Sequence, residues 1–289
     1  MSNEIKYYTK FAGCAPSISA LGFDSPQKWG VSFDLETTGL DPNKNQITQI
    51  GYVCFNEEGL LVVEGLIKVR LTEETKAQLL QEVAERNCAE YSLLWVLAFN
   101  SHHEVFRMGA DGKHPLIPTA EELEGFFIDD ERLNTEEEAL RKWKEKMRSV
   151  QYVLGHNAEN FDKNFINVRL GKYGIQERET YEVIDTLWIS RLAFLPLLQV
   201  VDIPEAFAMK AILTKDDGTL SSKLDDLKKA FQIFSGKSHT AVADSVTTVI
   251  LYFKIVEFMK KCSSVMESER YLIEVANAIQ SNHEKKWSH

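Results

Sequence analysis

With 289 residues, 44% hydrophobic and 26% charged, the chain has globular composition and enough length to bury a substantial core. A formal net charge of −10 argues against wrapping long duplex nucleic acid on a broad basic surface, yet allows a small site where cations and a few lysines neutralise phosphate. No apolar run approaches the roughly 18 to 20 residues that span a bilayer, the N-terminus lacks a signal-peptide pattern, and Cys14, Cys54, Cys88 and Cys262 are scattered without CxxC pairing. No membrane association is expected, and the expected location is cytoplasmic or otherwise intracellular.

Residues 1–29 mix polar, Gly and Pro signals and read as an N-terminal extension. From Val31 the pattern changes: Val31, Phe33 and Leu35 alternate with Ser32, Asp34 and Glu36, the period of a strand with one apolar face. TGLDPNKN is a loop by its Gly, Asp-Pro and Asn content. ITQIGYVCFN and LLVVEGLIKV predict two further strands joined as a hairpin, and TEETKAQLLQEVAERN predicts a helix. Residues 85–133 resemble an insertion. After it, Thr135 and Glu138 form a capping box on an amphipathic helix. QYVLG is a short strand, AENFDKNFINVRLGKYG a helix ending at Gly174, and TYEVIDTLWISRLAF a strand or turn leading into a helix. SSKLDDLKKAFQI and the strongly apolar TAVADSVTTVILYFKIVEFMKK follow as helices, with a last one expected over 267–281. Hairpin strands first and alternating strands and helices afterwards predict a mixed α/β sheet flanked by helices. The main domain is placed at 30–262, with a C-terminal helical extension at 263–289.

Asp34 and Glu36 stand at i and i+2, so on a strand both carboxylates leave one face. Two acids there repel and resist burial. A divalent cation with a preference for hard oxygen ligands, Mg²⁺ or Mn²⁺, would compensate; a solvated strand edge is the bland alternative. In LGHNAENFDKNF, Asp162 sits among Phe161, Phe165 and Ile166, where an acid needs a partner, although an acid also favours a helix N-terminus. In GKSHTAVADSVTTVILYF, His239 precedes a helix and Asp244 follows five residues later. The two share one cleft if His239 lies in the loop and Asp244 in the helix; a capping or surface histidine is the alternative.

Taken together, D-x-E after a strand, HNA…FDxxF in the middle and H-x4-D before an apolar helix resemble the DEDDh branch of the DnaQ-like 3′–5′ exonucleases, over about residues 30 to 261. VIDTLWISR and SSKLDDLKKAF agree with auxiliary segments of that family. The middle motif is one residue longer than the commoner HNAxFD. The resemblance implies a ribonuclease-H-like exonuclease fold. It makes Asp34, Glu36, Asp162 and Asp244 the metal-binding acids and His239 the general base, a task suited to imidazole. It implies two-metal hydrolysis with two Mg²⁺ or Mn²⁺ ions, releasing nucleoside 5′-monophosphates from single-stranded DNA or RNA 3′ ends. A catalytically silent nucleic-acid-binding or scaffold protein on the same fold is the alternative.

The same resemblance suggests Leu35, Thr37, Thr38 and Asn157 as substrate contacts, against a local role for the two threonine hydroxyls. Lys163, Arg191, Lys223 and Lys237 are candidates to guide the strand, against ordinary solvated charges. Trp95 and Phe99 fit core better than base stacking. Cys88, His102, His103 and His114 match no standard zinc spacing. Family members are often homodimers, and the insertion or termini are where a homodimer or partner-protein contact is expected.

Overall fold

The computed structural model describes residues 30–56, 59–84, 133–148, 150–176, 181–234 and 240–266. The N-terminal extension, nearly all of the 85–133 insertion and the expected 267–281 helix lie outside the described residues.

Three strands come first: β1 (Gly30–Thr37), β2 (Ile47–Phe55) and β3 (Leu61–Lys68). β2 pairs antiparallel with both neighbours, and its pairing with β3 is the predicted hairpin. β4 (Tyr152–Gly155) and β5 (Glu182–Asp185) then add in parallel on the other side of β1, giving the order β3-β2-β1-β4-β5. The direction of strand addition therefore reverses between β1 and β4. Ligands of open α/β sheets bind at the carboxyl ends of strands at such a switch point. Pairing of β1 with β4 stops at Ser32 opposite Leu154. The end of β1 that carries Asp34 and Glu36 thus projects beyond its parallel neighbour.

Helices cover both faces. α1 (Glu73–Ala84) follows β3. α2 (Glu136–Lys146) starts at the predicted capping box: Thr135 Oγ1 accepts from the Glu138 N–H at 3.3 Å, and Glu138 Oε2 accepts from the Thr135 N–H at 2.8 Å. With α3 (Asp162–Lys172), α2 buries one sheet face, where Val31, Phe33, Leu35 and Tyr52 pack on Leu140, Trp143, Phe165 and Leu170. The Phe33 and Trp143 rings lie 4.7 Å apart. Truncating a buried tryptophan such as Trp143 costs about 3–5 kcal/mol.

The other face receives α8 (Ala241–Met266), whose Val246 and Val249 pack on Val53, Phe55 and Leu154. β2 is buried along its whole length, which is why ITQIGYVCF reads as a nearly continuous run rather than an alternation. α8 continues to Met266, past the boundary placed at residue 262. Its second half, through Leu251, Ile255 and Phe258, is the backbone of a separate helical core. Into that core pack α4 (Thr186–Ile189), a π-helical turn (Ser190–Phe194), α5 (Leu195–Val200), α6 (Pro204–Leu213) and α7 (Leu224–Ala230). Phe194 meets Phe231 at 4.9 Å and Phe258 at 5.6 Å.

α6 is absent from the sequence expectations. Pro204 at its first turn is a start signal. However, Ala206, Met209 and Leu213 are buried while Phe207 and Ile212 are exposed, so apolar residues on both sides blur the helical period. No helix among the described residues is long and apolar enough to cross a membrane.

Candidate active site

The two acids of β1 lie on the face that α8 covers. Asp34 stands directly opposite Gly51 of β2, and Glu36 opposite the buried Gln49. Gly51 is what allows α8 to come so near. A Cβ there would lie 2.2 Å from the Ala241 carbonyl carbon and 2.4 Å from the Val242 nitrogen. The helix start rests on bare backbone, and the buried Ser245 hydroxyl clamps the contact, 3.1 Å from Gly51 O and 2.6 Å from Ala241 O. Asp244, in the first turn of α8, is thereby carried to the two β1 acids. Thr240 caps the start of α8, its hydroxyl accepting from the Ala243 N–H at 3.2 Å.

Asp162 arrives from the opposite layer. It is the first residue of α3, buried, and its Oδ1 accepts from the Leu35 N–H at 3.0 Å. Beyond Ser32, β4 supplies no further ladder partner to β1, and Asp162 takes over one of the donors left behind. The extra residue of HNAENFD is absorbed just before this helix. Lys163 N–H reaches back five residues to Ala158 O at 2.8 Å, a wide turn, and normal four-residue spacing resumes with Phe165 to Phe161 at 2.8 Å. The loop itself is tied by Asp185. Its Oδ1 accepts from the N–H groups of Asn157 and Leu187, both at 2.9 Å, and its Oδ2 from that of Glu159 at 3.2 Å. Asn157 holds the left-handed conformation (φ 68°) that Asn tolerates better than most residues.

Burial and mutual repulsion show in the acids' proton affinity. Burial raises Asp34 well above the usual carboxylate range, reinforced by Asp162, Glu36 and Asp244. Burial also pushes Glu36 up to about 8, followed by Asp244 and Asp162. Asp162 is raised to about 7 by burial, with the Leu35 N–H working against the shift. Four hard oxygen donors from three elements therefore meet at the carboxyl end of β1. Among the described residues no three His, Cys, Asp or Glu side chains are already closed into a metal cage. The chemistry of the set nevertheless fits a divalent cation, which would replace their repulsion by attraction and keep them ionised.

The remaining expected contacts divide. The Leu35 side chain turns to the core face with Phe33, as the strand period predicts, and its backbone N–H donates to Asp162. The Thr37 and Thr38 hydroxyls serve the loop, Thr37 donating to Gly39 O at 2.8 Å and Thr38 accepting from the Gln46 N–H at 2.9 Å. Asn157 shapes the turn rather than facing the acids through an observed contact. Its Oδ1 accepts from Asn160 Nδ2 at 3.1 Å. His239, Lys237, Trp95, Phe99, Cys88, His102, His103 and His114 lie outside the described residues.

Sequence reading missed three contributors. Gly51 and Asp185 position the acids, and the HNA histidine, His156, bridges Thr186 Oγ1 and Ser222 O at 3.0 Å each. Ile184-Asp185-Thr186 was visible as a segment; the role of its aspartate was not. Also missed was Glu136. It accepts from the Ile47 N–H (3.0 Å), Arg169 Nε (2.9 Å) and the Tyr173 hydroxyl (2.9 Å), and pairs with Arg169 Nη2. Arg169 also donates to Pro42 O at 3.3 Å. This network locks the loop after Glu36 onto α2 and α3.

A mixed sheet with acids gathered at its switch point defines the class, an exonuclease domain of the DEDD kind on a ribonuclease-H-like fold. Residues 19–188 match the family model for the exonuclease domain of DNA polymerase family B, and the chain belongs to that family. Exonucleases of this kind are in general dependent on divalent metal ions. Solved structures agree on the fold. E. coli exonuclease I in complex with a dT13 oligonucleotide superposes with a TM-score of 0.54 at 16% identity, over 83% of this chain and 42% of that one. A product-bound exonuclease I gives 0.52 at 14% identity over 80% and 44%. A complex of exonuclease I with SSB-Ct gives 0.51 at 15% over 81% and 42%. The chain thus spans less than half the length of these structures. No curated protein matches it.

Proposed function

We propose that the chain is a divalent-metal-dependent 3′–5′ exonuclease that removes nucleoside 5′-monophosphates from single-stranded 3′ ends. The observation that carries this reading is the cluster of Asp34, Glu36, Asp162 and Asp244 at the switch point, partly or fully buried, in which burial and the neighbouring acids raise the proton affinity of Asp34 and Glu36. These four would hold the metal, in a two-ion arrangement. Bound Mg²⁺ or Mn²⁺ supplies an activated water at neutral pH and stabilisation of the leaving 3′ oxygen.

The protein's own residues set the geometry of that chemistry. Asp162, fixed by the Leu35 N–H, and Asp244, fixed by the Gly51–Ser245 clamp, close on the β1 pair from opposite layers. His239, one residue before the cap Thr240, is assigned the proton from the attacking water. Single-stranded DNA is the first substrate to try, because E. coli exonuclease I, which shares the fold, is solved with a dT13 oligonucleotide.

The test is release of mononucleotides from a labelled single-stranded DNA and a matching RNA, with Mg²⁺ or Mn²⁺ and an Asp34→Ala control. Metal-dependent stepwise shortening from the 3′ end, lost in the control, is expected. Retained binding without product under either metal would favour a silent nucleic-acid-binding protein instead.

A further inference from the structure

Away from the acids, one exposed cation is held by the fold in a way that solvated charges are not. Arg191 lies three residues after Trp188, across the junction of α4 and the π-helical turn, and its guanidinium sits 6.0 Å from the Trp188 ring centre. Its Nε donates to Ser222 Oγ at 3.0 Å. It is exposed, and among the described residues it has no carboxylate partner, in a chain that carries ten more acids than bases. The hydroxyl holds the guanidinium at Nε, and the cation lies over the Trp188 ring. The two terminal amino groups remain for a ligand, and a planar fork of N–H donors suits a phosphate.

The anchor leads back to the acids. The carbonyl of the same Ser222 accepts from His156 Nε2 at 3.0 Å, and His156 directly follows β4. The next residue, Asn157, is bound to Asp185, which also holds Glu159 in the loop leading to Asp162. Lys223, exposed, adds a second positive charge beside Ser222. Two cations thus flank a serine that is hydrogen-bonded to the loop carrying an active-site acid. A strand whose 3′ end lies among carboxylates needs positive charge for the phosphates behind it, since the acids themselves repel them.

Resting on the exonuclease reading above, we propose that Arg191, held by Trp188 and Ser222, is a phosphate-binding residue for the single strand upstream of the scissile bond. Its job is to hold the strand in place, and the chemistry belongs to the acids.

The test is binding of a fluorescent ten-nucleotide single-stranded oligothymidylate as a function of salt, in Mg²⁺, with Asp34→Asn as the non-cleaving parent. Adding Arg191→Gln should weaken binding and flatten the slope of log affinity against log salt by about 0.7, the share of one phosphate contact on a single strand. Between 50 and 200 mM salt the parent then loses about 2.6-fold more affinity than the variant. Arg191→Lys should keep the slope, and Ser222→Ala should weaken binding without changing it. An Arg191→Gln protein with the parent's affinity and slope overturns the proposal while leaving the exonuclease reading intact. A parent that binds no oligonucleotide overturns both.

Discussion

Two places in this molecule bury carboxylates, and they treat them in opposite ways. Glu136 is enclosed with every neighbour complementary: a guanidinium, a phenol and a backbone N–H converge on it. Asp34, Glu36 and Asp162 are gathered with other acids, and only Asp162 has an observed backbone donor from another element. A carboxylate that serves the fold is satisfied by the chain. On the proposed reading, the acids at the end of β1 are left to be satisfied by something the chain binds. The same contrast explains why the switch point is the place where the local rules are broken.

Breaking the functional set should have the largest effect on activity. Asp34→Asn removes one donor from the cluster and is expected to lower turnover about 10³-fold or more, on the order of 4 kcal/mol of barrier. Its melting temperature without metal should not fall. Steady-state release assays and a thermal melt check both halves. The structural acid should behave in reverse. Glu136→Gln leaves Arg169 buried without its counter-charge and should cost about 3–5 kcal/mol of stability, measured by denaturant unfolding. Activity of the fraction that remains folded should be affected far less than in Asp34→Asn.

Gly51→Ala probes how the layers meet. The added methyl would strike the backbone of Ala241 and Val242, so α8 must move away and take Asp244 with it. A displacement of about 1 Å should lower turnover up to about 10²-fold. Ser245→Ala, which loosens the same clamp without forcing it apart, should have a smaller effect in the same assay.

The smallest effect sharpens the contrast through pH. Glu36 binds its proton more tightly in the fold, up to about 8 against an ordinary 4.5. Over that window the folded state holds more protons than the unfolded one, so metal-free stability should fall as pH rises from about 4.5 to 8. Below the window the contribution vanishes. Because Glu36 is partly exposed, the penalty is discounted for solvent screening to about 1–2 kcal/mol at pH 8. Glu36→Gln should remove that part of the slope in pH-dependent melts.

Much of this was legible beforehand because the relevant signals are local. The alternation of Val31, Phe33 and Leu35 against Asp34 and Glu36 gives the strand and its charged face. Thr135 and Glu138 give a helix start, and the spacing around Asp162 gives its helix. What stayed hidden depends on partners distant in the chain. Nothing around Gly51 says that Ala241 will press on it, and Glu136 looks like one more acid in a polar run until Arg169 arrives. α6 was lost because its two sides are both apolar.

On the proposed reading, the acids at the end of β1 are held together in expectation of a divalent cation. Calorimetric titration of Mn²⁺ into metal-free protein at pH 7.5 tests it most directly, with Asp34→Asn and Asp162→Asn beside the parent. Saturable binding by the parent that both variants lose or strongly weaken is the predicted result. Binding that is absent in the parent, or that survives unchanged in both variants, would contradict it.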